Sequence, residues 1–589
     1  MALLTACEGR QQSATSTPKQ PRSGPKLVIL DLTRGEPEVE ESSFLGGGSH
    51  KRTHQVLLHR LGLIRKEADT KAIFIRIGSA EISLARAQEL GEVLESIRKE
   101  TKITIGCHAD GLSNSTAYLF ARSCSKIWIS PAGEVSTVGI AAQIVYLHKL
   151  LAEELHLSVD ILQVGKFKGA EEPLTRDGPS EEARESLERV LVSLRKTWLD
   201  GLEQGRGKPG VRAAAEDGPF SPPAAKERGL IDEIGYSDDA RDEVKKTAGA
   251  VREETRFGPN ADEDGEGGLD SMLKALGGEG GGSAVALLRA NGSISMGGGS
   301  LFGDDGITEK ELGRQIDAAA KNESVKAVVL RIDSPGGSAL ASDLLWHRLM
   351  NLRKKKTLVV SIGGMAASGG YYLASTGQEI FADASSIVGS IGVVGGKIGV
   401  GAALEHIGVH AETFPANKDD PNAKYRAAYE SPLISWDKGT RDRVYESMAG
   451  IYDLFLRRVA EGRGTTVDKI SPHAEGRIFS GEEGQHLGLV DKMGGVLAAL
   501  ARAREIAKLP ENTRVMLFTS TPKLMELLGV EETDDDPSSK NLPIARSNSR
   551  ETELVQRLAP ELIPFIESYL PLVRGERTLT VLPYALSLR

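Results

Sequence analysis

Two glycine-rich segments in the second half of the chain carry residue types suited to acyl chemistry. In Met365-Ala366-Ala367-Ser368-Gly369-Gly370-Tyr371-Tyr372 a serine stands among small residues where an apolar run meets a helical pattern. Such a strand-to-helix junction can present a hydroxyl at the start of a helix, with the following amide, that of Gly369, turned toward an anion. Upstream, Asp333-Ser334-Pro335-Gly336-Gly337-Ser338 closes another apolar run. A strand ending in Pro-Gly-Gly before a helix leaves backbone N–H groups free to point at an anion, the geometry of an oxyanion hole, to which the Gly369 amide could add a donor. The bland alternatives are a tight turn and a packing contact between small residues.

A serine nucleophile needs a base. Histidine is the usual one, yet none of the eleven histidines has a comparable setting, and His108 faces no identifiable carboxylate. Lysine can serve once burial lowers its pKa. Val164-Gly165-Lys166-Phe167-Lys168-Gly169-Ala170-Glu171-Glu172-Pro173 follows the apolar run SVDILQV and reads as an extended segment with one of its two lysines pointing inward. The corresponding stretch of the second half, TFPANKDDPNAK, offers Lys418. An exposed lysine is the ordinary expectation at each of these positions.

The elements that must hold these groups come as a duplication. AIFIRIGSAEISLARAQEL from Ala72 matches AVVLRIDSPGGSALASDLL from Ala327, an offset of 255. The next pair of blocks, from Ser113 and Ala366, is offset by 253, and a third, from Phe220 and Phe479, by 259. Each copy alternates short apolar runs (KLVILDL, AIFIRI and ITIGC; AVALLRA, AVVLRI and LVVSIG) with amphipathic stretches, the pattern of buried parallel strands and crossover helices. The fold class expected is therefore α/β, in two tandem units. Duplicated folds keep packing residues alike, so residues specialised in one copy mark the chemistry. Ser115 aligns with Ser368 but lacks the glycines, and Glu81-Ile82 stands where the second copy has its Pro-Gly-Gly turn.

Boundaries follow from composition. Residues 1–25 read as a leader or tether, 26–257 as the N-terminal repeat, 258–283 as an acidic Gly-rich linker, 284–508 as the C-terminal repeat and 509–589 as an extension without an assigned role. Leu4-Thr5-Ala6-Cys7 has the form of a lipoprotein cleavage site, with too few residues before it for a working leader. It is read either as the remnant of a start lying upstream, with Cys7 lipidated, or as chance. With 73 basic and 82 acidic residues the net charge is −9, which argues against nucleic acid as a partner. The chain contains 66 glycines in 589 residues, above the ~7% of an average protein. Three cysteines, Cys7, Cys107 and Cys124, make no disulfide framework and no metal signature. No apolar run is long enough for a membrane-spanning helix.

Taken together, these motifs resemble the long, tandem-repeat form of the bacterial signal peptide peptidase A (protease IV) family over roughly residues 26–505. The resemblance implies two Clp-protease/crotonase-like repeats packed together, with Ser368 as nucleophile and Lys168, rather than Lys166, as general base. It also implies oxyanion donors at Gly337 and Gly369, with Gly336 as a third, and Ser390 of Gly389-Ser390-Ile391-Gly392 as the residue that orients the lysine. The implied function is a Ser/Lys serine endopeptidase that needs no cofactor or metal and degrades cleaved signal peptides and other short apolar peptides. The implied setting is a homo-oligomer, a tetramer, at the periplasmic side of the inner membrane. A dyad of Ser115 and Lys418 is the lesser arrangement. The rival functions are a catalytically silent peptide-binding scaffold and a crotonase-type acyl-CoA enzyme, which would need Glu or Asp acid–base groups beside the oxyanion loop.

Overall fold

The computed structural model describes residues 23–37, 53–78, 80, 82–259, 261, 282–297, 306–518 and 578–581. Cys7 and its leader, Glu81, the linker apart from its ends, and most of the C-terminal extension lie outside the described residues.

The apolar runs form strands. The N-terminal repeat holds β1 (Lys26–Asp31), β2 (Thr70–Ile77), β3 (Thr104–Ala109), β4 (Leu112–Ser113), β5 (Lys126–Ile129), β6 (Val135–Ser136), β7 (Ser158–Val164), β8 (Glu233–Ile234) and β9 (Arg252–Phe257). Six of these make a parallel sheet in the order β8-β5-β3-β2-β1-β9. In the C-terminal repeat come β10 (Ala284–Asn291), β11 (Ile294–Ser295), β12 (Ile307–Thr308), β13 (Val325–Ser334), β14 (Gly336–Ser338) and β15 (Thr357–Ala367). There follow β16 (Glu379–Ala382), β17 (Ile387–Gly389), β18 (Val393–Gly399), β19 (Ile478–Ser480), β20 (Lys492–Met493) and β21 (Arg514–Leu517), with β22 (Thr578–Val581) far beyond. The path β20-β16-β15-β13-β10-β21 repeats the order of the first sheet, and β17 and β19 branch from β15. The duplication read from sequence is thus a duplication of topology.

A third sheet joins the copies. Its order is β12-β11-β14-β22-β18-β7, so a strand of the N-terminal repeat, β7, completes a sheet of the C-terminal one. β7 and β18 pair antiparallel over seven positions, from Val164↔Val393 to Ser158↔Gly399.

Packing makes the two repeats one body. A single apolar cluster runs from Val28, Leu90 and Leu94 of the first repeat to Val329, Val359, Val496 and Leu500 of the second. The helix Glu181–Arg206 starts at Ser180, whose side chain caps the Ala183 N–H, carries Glu181 and Glu182 in its first turn, and ends on Gly207 with φ 57°. Its Val190 and Leu194 pack with Ala367, Ile387 and Ile478, and Ala367 is the residue just before Ser368. Burying two aliphatic side chains there contributes roughly 1.5–3 kcal/mol each.

One expectation is corrected. The three cysteines were read as making no disulfide framework, but Cys107 of β3 and Cys124, at the end of the helix Asn114–Ser123, are bonded, with Cα atoms 5.9 Å apart. Their separation along the chain carries no signature, because the pair meets only through the packing of that helix against its own sheet.

Candidate active site

Ser368 sits where β15 ends and the helix Gly369–Ala374 begins. Its φ of 54° is positive, which costs a residue with a Cβ energy and is tolerated where the surroundings enforce it. Here the Ser368 N–H donates to Gly389 O at 2.7 Å and its carbonyl accepts from Tyr372 N–H at 2.8 Å, which aims the hydroxyl out of the turn. Tyr371 is wholly buried and donates to Leu489 O, so the helix behind the serine is fixed.

The glycines are needed for close approach. A Cβ at Gly370 would stand 2.7 Å from Ser334 O, and one at Gly336 2.7 Å from Gly369 N. The Pro-Gly-Gly turn therefore lies against the first turn of the serine's helix. As the first residue of that helix, Gly369 has no intrahelical acceptor for its N–H. Gly336 N–H is directed at Ser334 Oγ, 3.2 Å away, which makes it the less suited donor of the three glycines.

Lys168 comes from the other repeat. After β7 the chain turns at Gly165 (φ 105°), and Lys168 N–H closes back on Gly165 O at 3.0 Å. The reading of an extended segment with one inward lysine is corrected in its geometry: residues two apart on a strand share a face, and it is this turn that parts the two side chains. Lys166 is exposed, near Glu475, whereas Lys168 is 0% exposed. Its Nζ lies 2.8 Å from Ser368 Oγ, 2.9 Å from Ser390 O and 3.0 Å from Ser390 Oγ. Burial alone pushes the Lys168 pKa well below the ordinary lysine value.

Ser390 also has a positive φ, 51°, and its N–H donates to Arg477 O at 2.6 Å. The same loop, Glu475–Arg477, accepts the Phe167 N–H on Glu475 O at 2.8 Å and lays the Arg477 guanidinium over the Phe167 ring. At Gly476 (φ 86°) the loop presses on the lysine backbone so closely that a Cβ would collide with Lys168 N and Cα. This clamp was missed in the sequence: its glycine is one of many, and its work is visible only in the contacts.

The alternative pair is not brought together. Lys418 lies exposed on a loop and Ser115 half-buried in the first turn of Asn114–Ser123, and among the described residues no hydrogen bond joins them. His108 is buried with Nε2 3.1 Å from Gly235 O, a core position, and burial lowers its pKa. No group of three or more His, Cys, Asp or Glu residues able to hold a metal ion occurs among the described residues.

Comparison with known proteins identifies the family of the chain. The model of Peptidase family S49 matches residues 97–251 and 350–510, one segment in each repeat. The chain is 30% identical over 480 residues to "Serine protease SPPA, chloroplastic" of Arabidopsis thaliana, covering 80% of this chain and 69% of that one. It is 32% identical to "Protease 4" of Salmonella typhi, covering 67% and 62%, and 28% identical to "Protease 4" of Haemophilus influenzae, covering 70% and 66%. The chain thus spans about two thirds of the length of these relatives. With both repeats matched by one family model, and similarity to these relatives running through most of the sequence, the chain belongs to Peptidase family S49, a family of serine proteases.

Proposed function

We propose that the chain is a Ser/Lys endopeptidase in which Ser368 is the nucleophile and Lys168 the general base. The observation that carries this reading is the 2.8 Å approach of Lys168 Nζ to Ser368 Oγ in a site where both side chains are wholly buried. A neutral amine has two N–H donors and one lone pair. With the N–H groups on Ser390 O and Ser390 Oγ, the lone pair is left for the Ser368 hydroxyl proton, so Ser390 orients the base.

In the acylation step Ser368 Oγ attacks the peptide carbonyl while its proton passes to Lys168 Nζ. The tetrahedral oxyanion is held by the Gly337 and Gly369 amides, with Gly336 in support. Lys168 then returns the proton to the leaving amine, the C–N bond breaks, and the ester on Ser368 is hydrolysed by water that Lys168 deprotonates in turn. No step calls for a metal or organic cofactor.

The proposed substrates are cleaved signal peptides and other short apolar peptides, met in extended form by strands β14 and β18 beside the dyad. The proposed setting is the bacterial cell envelope, on the periplasmic side of the inner membrane, where a Cys107–Cys124 disulfide persists. Attachment through a lipidated Cys7 and assembly as a homo-tetramer belong to the same proposal. Among the described residues no helix is long and apolar enough to cross a membrane.

The test is labelling with a fluorophosphonate at pH 8. Wild type, Ser115→Ala and Lys418→Ala label, whereas Ser368→Ala and Lys168→Ala do not; an unlabelled wild type leaves the silent scaffold as the better account.

A further inference from the structure

The third sheet is continuous only because β22 lies in it. β22 sits between β14, which carries Gly336 and Gly337, and β18, which pairs with β7, the strand that leads into the turn bearing Lys168. It runs antiparallel to both, with Gly336↔Val581, Gly337↔Thr580 and Ser338↔Leu579 on one side and Val394↔Leu579 and Gly395↔Thr578 on the other. Without β22, two unpaired strand edges would face each other across the catalytic centre.

The side chains are seated as well as the backbone. Leu579 is fully buried in an apolar pocket of Ile161, Ala170, Leu174 and Val394, drawn from both repeats. Thr580 is buried too, and its hydroxyl donates to Gly337 O at 3.3 Å. Its backbone carbonyl takes the space that a Cβ on Gly336 would need, and its hydroxyl lies 2.8 Å from where a Cβ on Gly369 would stand. An added strand held by main-chain hydrogen bonds, with side chains dropped into pockets, is a general mode of peptide recognition.

We propose that Thr578–Val581 is a built-in occupant of the peptide groove, a strand of the chain itself that competes with substrate for the gap between β14 and β18. This rests on the peptidase reading above and adds its regulation. The strand covers a site in which Ser368, Lys168 and Ser390 are all at 0% exposure. Being tethered, it competes at a fixed effective concentration. If it is seated nine tenths of the time, the groove is open in one molecule in ten and the apparent Kd for a substrate peptide rises about tenfold.

The test measures binding without catalysis. The full-length Ser368→Ala protein and the Ser368→Ala/Leu579→Asp protein are each titrated with a fluorescein-labelled GERTLTVLPY peptide, the sequence of residues 575–584. A carboxylate at 579 has no partner in the apolar pocket and expels the strand. The expected result is about tenfold tighter binding to the double variant, and the same gain when residues 578–581 are replaced by Gly-Ser-Gly-Ser. Equal affinity in all three proteins, or no binding to any, overturns the proposal. So does a loss of folded protein in both strand variants, since that makes β22 a structural staple. In Ser368-intact protein, Leu579→Asp should also speed fluorophosphonate labelling. An unlabelled wild type together with tenfold tighter peptide binding would count against the peptidase reading and leave the occupied groove standing.

Discussion

Burial is the only cause of the lowered pKa of Lys168, which has no ion-pair partner among the described residues, and that has two consequences of opposite value. In the proposed dyad the neutral form is the competent one, so kcat/KM is expected to rise with pH through the Lys168 pKa, with an acid limb well below the 10.5 of an ordinary lysine. A limb near 10.5 in the pH–rate profile would remove Lys168 from the base role. For stability the sign is reversed. Below 10.5 the unfolded chain binds a proton at this position that the folded protein refuses, so the buried lysine costs stability at neutral pH, and the cost grows as pH falls. Lys168→Met therefore has a higher Tm than wild type at pH 7 while kcat/KM drops by about 10³ or more; differential scanning calorimetry paired with peptide hydrolysis reads both. Lys168→Arg imposes a charge and offers no base, since a guanidinium does not deprotonate, and is expected to be as inactive as the methionine variant. Ser368 was legible from its glycines because they occur in one copy only. The choice of Lys168 over Lys166 was not legible from spacing, because the turn at Gly165 rather than strand alternation separates them.

At the scale of elements, the site is a meeting of three short turns: Pro335–Gly337, the Ser368 junction and the Glu475–Arg477 loop. The last holds Phe167 and Ser390 through its carbonyls and touches Lys168 through Gly476. Gly476→Ala is strained twice, by a Cβ against the lysine backbone and by a φ of 86°. It should displace Lys168 from Ser368 and lower kcat at least tenfold with little change in KM, as measured by steady-state hydrolysis. A normal kcat would show that the loop yields without moving the lysine. The helix Glu181–Arg206 acts from below: Leu194→Ala opens a cavity against Ala367, costs about 2–5 kcal/mol of stability and loosens the serine junction. Apolar runs in the sequence revealed β1, β2 and β3 in the first copy and β10, β13 and β15 in the second, since each reads its pattern from neighbouring residues. Of the third sheet only the run SVDILQV, now β7, was visible; its pairing left no trace, because β7, β18 and β22 come from three distant stretches and pair by register alone.

Across the whole molecule the two repeats are locked by a buried charge site that composition does not disclose. Glu36 accepts from His54 Nδ1 at 2.6 Å, Glu89 lies 3.0 Å from His54 Nε2 and 2.7 Å from Arg331, and Glu89 also takes the Val496 N–H at 2.5 Å. Burial opposes the charge on His54, but Glu36 and Glu89 outweigh it and raise its pKa from 6.5 to about 10. Burial likewise opposes the charge on Glu89, while Arg331 and His54 bring it from 4.5 down to about 2. The His54 contribution is therefore complete below 6.5 and lost as pH rises through about 10; that of Glu89 is complete above 4.5 and lost as pH falls toward 2. Asp383, beside them, has no such compensation. Neither carboxylate oxygen finds a donor among the described residues, and burial first, then the nearby Glu89 and Glu92, raise its pKa well above 3.8 despite Arg331 and His54. The folded protein thus keeps a proton on Asp383 that the unfolded chain releases above 3.8, so this residue subtracts stability as pH rises. Asp383→Asn fixes the neutral state. Its Tm should exceed that of wild type at pH 8 and converge with it toward pH 4; parallel Tm profiles for the two proteins would mean that Asp383 is ionised and paired in the folded state.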